Sequence, residues 1–159
     1  MGRVVTRNEL IEIRRQLKSQ HKAVVFTNGC FDILHRGHID YLQKAKAMGD
    51  VLLVAVNTDA SVRKIKGDKR PIVAEGDRAQ VLAALACVDY VTLFDEETPY
   101  DLLRVLVPDV LVKGADWPVK DVVGKELVEQ AGGSVQTIEF LPNHSTTQVI
   151  KTIVDRFGS

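Results

Sequence analysis

The chain has little of what marks several common classes of protein. Only two of its 159 residues are cysteine, Cys30 and Cys87, so a disulfide framework is excluded. No apolar run approaches the ~20 residues that span a bilayer, and the first residues lack the apolar segment of a signal peptide. The 21 basic residues are balanced by 21 acidic ones, which leaves no overall basic field for nucleic acid. We therefore expect a cytoplasmic protein with free thiols and no nucleic-acid or membrane partner.

Hydrophobic residues make up 45% of the chain, enough for one domain with its own core. The apolar runs 51–56 and 110–112 are continuous rather than alternating, which is typical of strands covered on both faces. Because predicted strands and helices alternate, we expect an α/β fold, a doubly wound, mainly parallel five-stranded sheet with helices on both faces (Rossmann-like). The predicted strands are 23–28, 51–56, 89–94, 109–113 and 134–140, and the predicted helices are 7–19, 37–48, 59–65, 76–86, 99–107, 124–131 and 145–157.

The N-terminal segment is predicted to be a helix that precedes the core. Thr6 followed by Glu9 matches a capping box, and apolar residues then recur at helical spacing. We expect one domain, 1–159, in which a helical extension, 1–21, precedes the core, 22–159. The apolar stripe of this helix is free to pack on a second copy, so a homodimer is among the expectations.

The stretch from Thr27 to His38 carries the main functional signal. It reads Thr-Asn-Gly-Cys-Phe-Asp-Ile-Leu-His-Arg-Gly-His, between an apolar strand candidate and a segment with helical spacing. A strand-to-helix turn presents backbone N–H groups and the positive end of the helix dipole to an anion. His35 and His38 lie one helical turn apart, so both imidazoles can donate to phosphate oxygens. We therefore predict a nucleotide phosphate site with His35 and His38 as catalytic residues.

The other residues of this turn are predicted to line or to order that site. Gly37 lets a ligand approach the backbone closely. Asp32 is expected to order the loop through hydrogen bonds, with substrate contact as its second candidate role. A thiol nucleophile and a zinc site at Cys30 are less favoured, because no fourth zinc ligand is apparent and no protein metal site is predicted. The remaining nucleotide-binding candidates here are Asn28, Gly29, Cys30 and Phe31, of which Phe31 also fits the core.

Five basic residues fall within the eight positions 63–70 of a chain that has no net charge. A solvated surface is the usual explanation of such a run. Here the run follows the second predicted core strand, at the same sheet edge as the histidines, where positive groups can neutralise a leaving phosphate. We predict Lys66 as a catalytic residue and Lys64 and Arg70 as phosphate-binding residues.

Three further turns place polar candidates at the same edge: those after the predicted strands 51–56 and 109–113 and the one at the start of the last helix. For the turn after strand 109–113, a turn with a packing Trp117 is the simpler explanation, and nucleotide contact is the alternative. After the second core strand, Thr58 or Asp59 as a helix N-cap is the simpler explanation, and ligand contact is the alternative. Ser145 and Gln148 match a capping box at the last helix, whose hydroxyls and free N–H groups also form an anion site. The nucleotide candidates in these turns are Lys113, Gly114, Asp116, Ser145, Thr146 and Thr147, and the substrate candidates are Asn57, Asp59, Trp117 and His144.

These motifs resemble the signature of the HxGH nucleotidyltransferases, which include the cytidylyltransferases of glycerol and choline phosphates. One departure concerns Pro142-Asn143-His144, which precedes Ser145 where the cytidylyltransferases carry an arginine. This departure argues against an acceptor of the glycerol phosphate type. The similar stretches are 27–38, 54–62, 66–67, 70–71, 108–114 and 145–147, and the resemblance covers about residues 6 to 157.

The resemblance implies that ATP and D-glycero-β-D-manno-heptose 1-phosphate give ADP-heptose and pyrophosphate, for lipopolysaccharide or surface-glycan precursors. It implies Mg²⁺ that bridges the substrate phosphates and is held mainly by their oxygens and water. Since no sugar-kinase segment comes first, it also implies the stand-alone form of such an enzyme. The alternatives are a transferase that uses CTP, GTP or another phosphorylated acceptor, and a nucleotide-binding module without turnover.

Overall fold

A parallel sheet of six strands forms the middle layer of the computed structural model, which describes residues 1–158. The order across the sheet is β1-β4-β3-β2-β5-β6. The predicted doubly wound α/β fold is confirmed, whereas the predicted count of five strands is wrong. The additional strand is β1, only two residues long and partly polar, so no apolar pattern reveals it. The strands are β1 (Arg3–Val4), β2 (Val24–Gly29), β3 (Val51–Asn57), β4 (Tyr90–Phe94), β5 (Val110–Gly114) and β6 (Ser134–Ile138).

The helices agree with the predicted ones within three residues at each end. In α1 both bonds of the predicted capping box are present, since the Thr6 hydroxyl accepts from the N–H of Glu9 and the Glu9 carboxylate accepts from the N–H of Thr6. A 3-10 turn at Val119–Asp121 was not predicted. The helices are α1 (Arg7–Ser19), α2 (Arg36–Lys46), α3 (Asp59–Lys66), α4 (Glu75–Ala83), α5 (Tyr100–Leu106), α6 (Lys125–Gln130) and α7 (Thr146–Phe157).

Helices cover both faces of the sheet, so the core has two parts. On one face, Leu42 of α2 and Leu82 of α4 share a buried cluster with Val54 of β3. On the other face, α1, α5 and α6 cover the sheet, and Leu10 of α1 is fully buried in a cluster with Phe26 of β2. Helix α1 therefore packs on its own chain.

The chain reverses its direction of travel across the sheet at β2. From β2 it proceeds to β3 and β4 on one side, and it then crosses over to β5 and β6 on the other side. Ligands in open α/β sheets bind beyond the carboxyl ends of the strands at such a switch point. The turns after β2, β3, β4 and β5 all open at this edge. Within residues 1–158, none of the helices has the length and apolar character needed to cross a membrane.

Candidate active site

Two stacked imidazoles lie at the start of α2, beside the turn that follows β2. His35 is the N-cap residue of α2 and His38 lies in its first turn, with ring centroids 3.9 Å apart and 21° between the ring planes. The ring of Phe31 flanks His38 at a centroid distance of 5.4 Å. Nδ1 of each histidine is shielded from solvent and has no hydrogen-bond partner among residues 1–158. Such unpartnered polar atoms are rare in folded proteins, and here two of them belong to the predicted catalytic pair.

Both rings are neutral near pH 7, because their pKa values lie below the ordinary 6.5. Burial lowers the pKa of His38 to about 4, and the neighbouring His35 lowers it further in the same direction. Burial also lowers the pKa of His35, with a smaller contribution from His144. Negative oxygens near the rings would favour their protonated forms and raise both pKa values. The pair is therefore set to gain charge when an anion binds.

Asp32 ties the turn after β2 to the segment after α3. Its carboxylate accepts from the N–H groups of Ile72 and Val73, each at 2.8 Å, and pairs with Arg70, and its side chain has no exposed surface. Burial raises the pKa of Asp32, but the bonds from Val73, Ile72 and Arg70 outweigh burial and lower it overall. These contacts support the loop-ordering role expected for Asp32. Its alternative role as a substrate contact stays a prediction. The carboxylate has no exposed surface, which does not favour that role.

Arg78 of α4 is a site residue that the sequence analysis missed. It is fully buried, and its guanidinium donates to the carbonyl oxygens of Cys30 and Val73 and to the carboxylate of Asp59. It thereby joins the turns that follow β2, β3 and α3. Its position four residues before the buried Leu82 puts it on the inward face of α4, and this spacing is the signal that could have identified it.

The polar residues at the end of β3 have partners inside the protein. Thr58 caps α3 by accepting from the N–H of Ser61 at 3.2 Å, so the N-cap prediction is confirmed for Thr58. Asn57 is buried and donates to the Ser61 hydroxyl at 2.9 Å. Asp59 pairs with Arg78 at 2.7 Å. Substrate contact by Asn57 or Asp59 therefore stays a prediction, and their observed contacts are structural.

The basic residues of segment 63–70 differ in whether an acidic group holds them. Arg70 is held by Asp32, whereas Lys64 and Lys66 are exposed and form no ion pair within the described chain. Burial raises the pKa of the Cys30 thiol, and positive charges, led by Lys66, oppose that rise. Lys66 is thus near enough to the turn after β2 to act on it electrostatically. This position supports its predicted role at a phosphate.

The start of α7 contacts the same turn. The Ser145 hydroxyl accepts from the N–H of Gln148 at 3.1 Å, and the Thr146 hydroxyl donates to the carbonyl of Ile33 at 3.4 Å. The second bond of the predicted capping box, from the Gln148 side chain to Ser145, is not formed in the part of the chain that the structure describes. Thr147 is exposed in the first turn of α7. These hydroxyls and N–H groups therefore lie beside the histidine turn.

Gly37 lies between His144 and the ring of His35. A methyl group at this glycine would lie 3.0 Å from Cβ of His144 and 3.1 Å from the ring of His35. Nδ1 of His144 is 2.7 Å from the carbonyl oxygen of Pro142, which requires the proton on Nδ1 because a carbonyl only accepts. A side chain at position 37 would crowd Cβ of His144 and the ring of His35, so one of these residues would have to shift to admit it.

The candidates at the end of β5 lie around Lys113. Burial lowers the pKa of Lys113 to about 8, and the carboxylate of Asp116 opposes this shift. Gly114 is buried beneath the side chains of Phe140 and Asp116. Trp117 is 52% exposed. The end of β5 therefore combines a half-buried lysine, Lys113, with an exposed aromatic side chain, Trp117.

Neither of the less favoured chemistries gains support from the site. Both Cys30 and Cys87 are free, as expected, and burial keeps the pKa of Cys30 above its ordinary value, so the thiol is not activated as a nucleophile. Among residues 1–158, no three side chains of the metal-binding types cluster closely enough to hold an ion. The features that remain are the imidazole pair, the free lysines and the helix starts.

Residues 26–152 match the family described as cytidylyltransferase-like. The matched region contains the histidine turn, the basic end of α3 and the start of α7. The chain belongs to the cytidylyltransferase-like family, which confirms the class inferred from the turn.

The chain is similar to the bifunctional protein HldE of several bacteria. It is 55% identical to HldE of Citrifermentans bemidjiense over 139 residues, which cover 87% of this chain and 28% of that protein. It is 55% identical to HldE of Wolinella succinogenes over 151 residues, which cover 95% of this chain and 31% of that protein. The chain therefore spans about a third of the length of these relatives.

Solved structures show the same architecture. The lipopolysaccharide core biosynthesis protein from Thermoplasma volcanium is 29% identical, with a TM-score of 0.61 over 76% of this chain and 97% of that one. The pantoate-beta-alanine ligase from Francisella tularensis is 16% identical, with a TM-score of 0.63 over 98% of this chain and 78% of that one. The second likeness concerns the fold alone.

Proposed function

We propose that this chain transfers an adenylyl group from ATP to D-glycero-β-D-manno-heptose 1-phosphate and releases pyrophosphate. The observation that carries the proposal is the stacked, internally unpartnered pair His35 and His38 in a chain of the cytidylyltransferase-like family. The similarity to HldE and to a protein named for lipopolysaccharide core biosynthesis favours a heptose acceptor. The product, ADP-heptose, would then serve the synthesis of lipopolysaccharide or another surface glycan.

The reaction needs no covalent intermediate with the protein. A phosphate oxygen of the acceptor attacks the α-phosphorus of ATP, a new P–O bond forms, and the bond to pyrophosphate breaks with its electron pair on the leaving oxygen. The protein contributes by aligning the two substrates and by stabilising the charge that develops. Alignment alone is worth up to ~7–11 kcal/mol in favourable cases.

The residues around the turn divide this work. His35 and His38 donate to the triphosphate as charge moves onto the leaving group, and bound phosphate raises their pKa values so that they can do so as cations. Lys66, with Lys64, neutralises the leaving phosphates from the exposed end of α3. Backbone N–H groups after β2 and at the start of α7 hold further oxygens. Arg78, through Cys30 and Asp59, keeps these turns in register.

Magnesium is part of the proposal as a companion of the nucleotide. Two carboxylates at the turns after β2 and β3 are already paired, Asp32 with Arg70 and Asp59 with Arg78, so this donor set fits an ion held by phosphate oxygens and water. When bound, Mg²⁺ would neutralise part of the triphosphate charge. Removal of divalent cations with a chelator is expected to abolish turnover while the fold remains intact.

The proposal extends to the assembly and the location of the protein. Helix α7 has no buried residue, and its apolar side chains Ile153, Val154 and Phe157 are each at least 49% exposed. This stripe is a better candidate for the predicted homodimer contact than α1, whose Leu10 is already buried. Sedimentation at several concentrations tests the dimer, with Phe157→Ser expected to weaken it. A cytoplasmic location agrees with free thiols and a supply of ATP.

The decisive experiment is a panel of nucleotides and sugar 1-phosphates with detection of pyrophosphate. We expect release with ATP and the heptose 1-phosphate, and loss of release in His38→Ala. Faster release of pyrophosphate with CTP, the nucleotide that the family description suggests, would show that the donor is CTP and not ATP. Nucleotide binding without release for any acceptor would contradict the proposal and leave a binding module.

A further inference from the structure

A small cavity lies on the face of the sheet opposite the histidine helix. Side chains alternate along a strand, so Asn28 shares the face of Phe26, and Lys113 shares the face of Leu111. Phe26 and Leu111 belong to the cluster covered by α1, α5 and α6, whereas α2 covers the other face. The cavity, about 100 Å³, is lined by Asn28, Glu97, Thr98, Pro99, Lys113, Trp117, Val122 and Val123.

Asn28 of β2 and Lys113 of β5 come from the two strands that flank the switch point of the sheet. Phe26 pairs with Leu111, the last pair between β2 and β5, and two residues beyond that pair each strand contributes one residue, Asn28 or Lys113, to the lining of the cavity. The cavity therefore opens at the crevice between β2 and β5, where an α/β sheet of this kind binds its ligands.

Polar atoms in this cavity lack internal partners. Oδ1 of Asn28 is shielded from solvent and has no hydrogen-bond partner within residues 1–158. The Lys113 side chain forms no hydrogen bond or ion pair within 1–158, and burial lowers its pKa to about 8 although Asp116 and Cys30 act to raise it. A half-buried ammonium group without an internal partner is costly, and a doubly charged anion would reduce that cost.

The stereochemistry of the proposed reaction requires a second anion site on this side. The attacking oxygen and the leaving oxygen lie roughly in line, on opposite sides of the phosphorus. The histidines of α2 and the lysines of α3 hold the leaving phosphates in the proposed function. The acceptor must then approach from the sheet face opposite α2, at the carboxyl ends of β2 and β5. On that face, Lys113 lines the cavity.

We propose that Lys113, with Asn28 beside it, binds the phosphate of the acceptor and not the nucleotide. This inference rests on the proposed function and assigns the acceptor class as a phosphate monoester of a sugar or polyol. The body of the acceptor would lie against the half-exposed ring of Trp117, with its hydroxyl groups toward Glu97 and Thr98. Lys113 would thereby be a specificity-determining residue, distinct from the nucleotide-binding set in which its sequence position first placed it.

Steady-state kinetics with each substrate varied in turn test the assignment. In Lys113→Met we expect the KM for the sugar 1-phosphate to rise about 10- to 100-fold, the effect of losing a charge-assisted hydrogen bond, while the KM for ATP changes less than about twofold. Lys120→Met, a nearby exposed lysine outside this cavity, is the matched control and should change neither. A rise in the KM for ATP with an unchanged acceptor KM would overturn the assignment.

A binding measurement keeps the assignment separate from the proposed function. Inorganic phosphate is titrated by calorimetry into protein saturated with magnesium and a non-hydrolysable ATP analogue, so that nucleotide sites are filled. Wild type and Lys120→Met are expected to bind phosphate equally, and Lys113→Met about tenfold or more weakly. Equal binding by all three, or none by wild type, would overturn the role of Lys113 even if turnover is found. Absence of turnover with any acceptor would instead contradict the proposed function.

The pH dependence supplies a signature that a merely structural lysine lacks. The groups that face Lys113 are Asp116, Cys30 and Glu97. Phosphate affinity should be highest while the ammonium is protonated and should fall as the pH rises through about 8. Lys113→Arg keeps its charge at high pH, so its affinity should show no such fall. A fall that persists in Lys113→Arg would exclude Lys113 as the titrating group.

Discussion

Two groups of polar residues lie around the turn after β2, and they differ in whether the partners of their shielded atoms are inside the protein. Behind the site, Arg78 and Asp32 are fully buried and have their charged atoms paired with backbone and with Asp59 or Arg70. In front, His35 and His38 each have a shielded nitrogen that no residue in 1–158 contacts.

This difference separates the scaffold from the ligand-binding surface. A buried charge that is fully paired helps to fix the conformation of the turns. If one partner is removed, the other charge stays buried without compensation, and the folded state is strongly destabilised. A buried polar atom without an internal partner costs free energy on folding, and a ligand that bonds to it would remove that cost. Variants in the two groups should therefore fail in different ways.

The largest effect is expected in the front group. Replacement of His38 by alanine should reduce kcat/KM by about 10³-fold or more, because a donor aimed at developing charge is lost. The free energy of unfolding at pH 7 should stay within about 1 kcal/mol, since no internal hydrogen bond is broken. Pyrophosphate release and urea denaturation measure the two quantities. Normal turnover in a correctly folded His38→Ala would contradict the assignment.

Variants of the paired residues, Arg78 and Asp32, should lose stability of the fold. Arg78→Met leaves Asp59 and two carbonyl oxygens without their donor, which we expect to cost about 3–5 kcal/mol of the free energy of unfolding. Arg104→Met, at an arginine that is 64% exposed, is the matched control and should cost less than about 0.5 kcal/mol. Denaturant titration of both variants checks this contrast. Equal stabilities would show that the Arg78 network does not hold the turns.

Acid should expose the cost of keeping an imidazole neutral. The pKa of His38 is about 4 in the folded chain and near 6.5 when unfolded, so between these values the unfolded chain binds more protons and stability falls as the pH falls. The loss is about 2 kcal/mol at pH 5, with none above pH 7. Urea titrations at pH 7 and 5 should show this loss in wild type and in His21→Gln, an exposed histidine, but a smaller one in His38→Gln. Identical acid sensitivity of all three would contradict the lowered pKa.

The smallest effect is expected far from both groups. Thr6→Ala removes the hydroxyl that caps α1 and should cost about 1 kcal/mol of stability. Because neither Thr6 nor its partner Glu9 contacts the histidines or lines the cavity at Lys113, kcat and both KM values should stay within about twofold of wild type. Thermal unfolding and steady-state kinetics measure these effects. A large loss of activity would mean that the N-terminal helix reaches the site.

The sequence predicts the elements better than the partners. Apolar runs and helical spacing locate the core strands and α1, because their signals are local, whereas β1 has only Arg3 and Val4 and depends on pairing with β4. The motif likewise locates His35 and His38. The turn also predicts a loop-ordering role for Asp32, but it does not name the partners Arg70, Ile72 and Val73, and nothing local to the turn indicates Arg78, because these contacts form only in the folded chain.

The most direct test of the central claim is to watch the imidazoles themselves while a nucleotide binds. Long-range ¹H–¹⁵N spectra report the four histidines separately during titration with magnesium and a non-hydrolysable ATP analogue, and His21, at the opposite end of the sheet, is an internal control. The account predicts that His35 and His38 shift toward protonated imidazole in step with binding while His21 stays unchanged. Saturable binding that leaves both of these rings unshifted would contradict it.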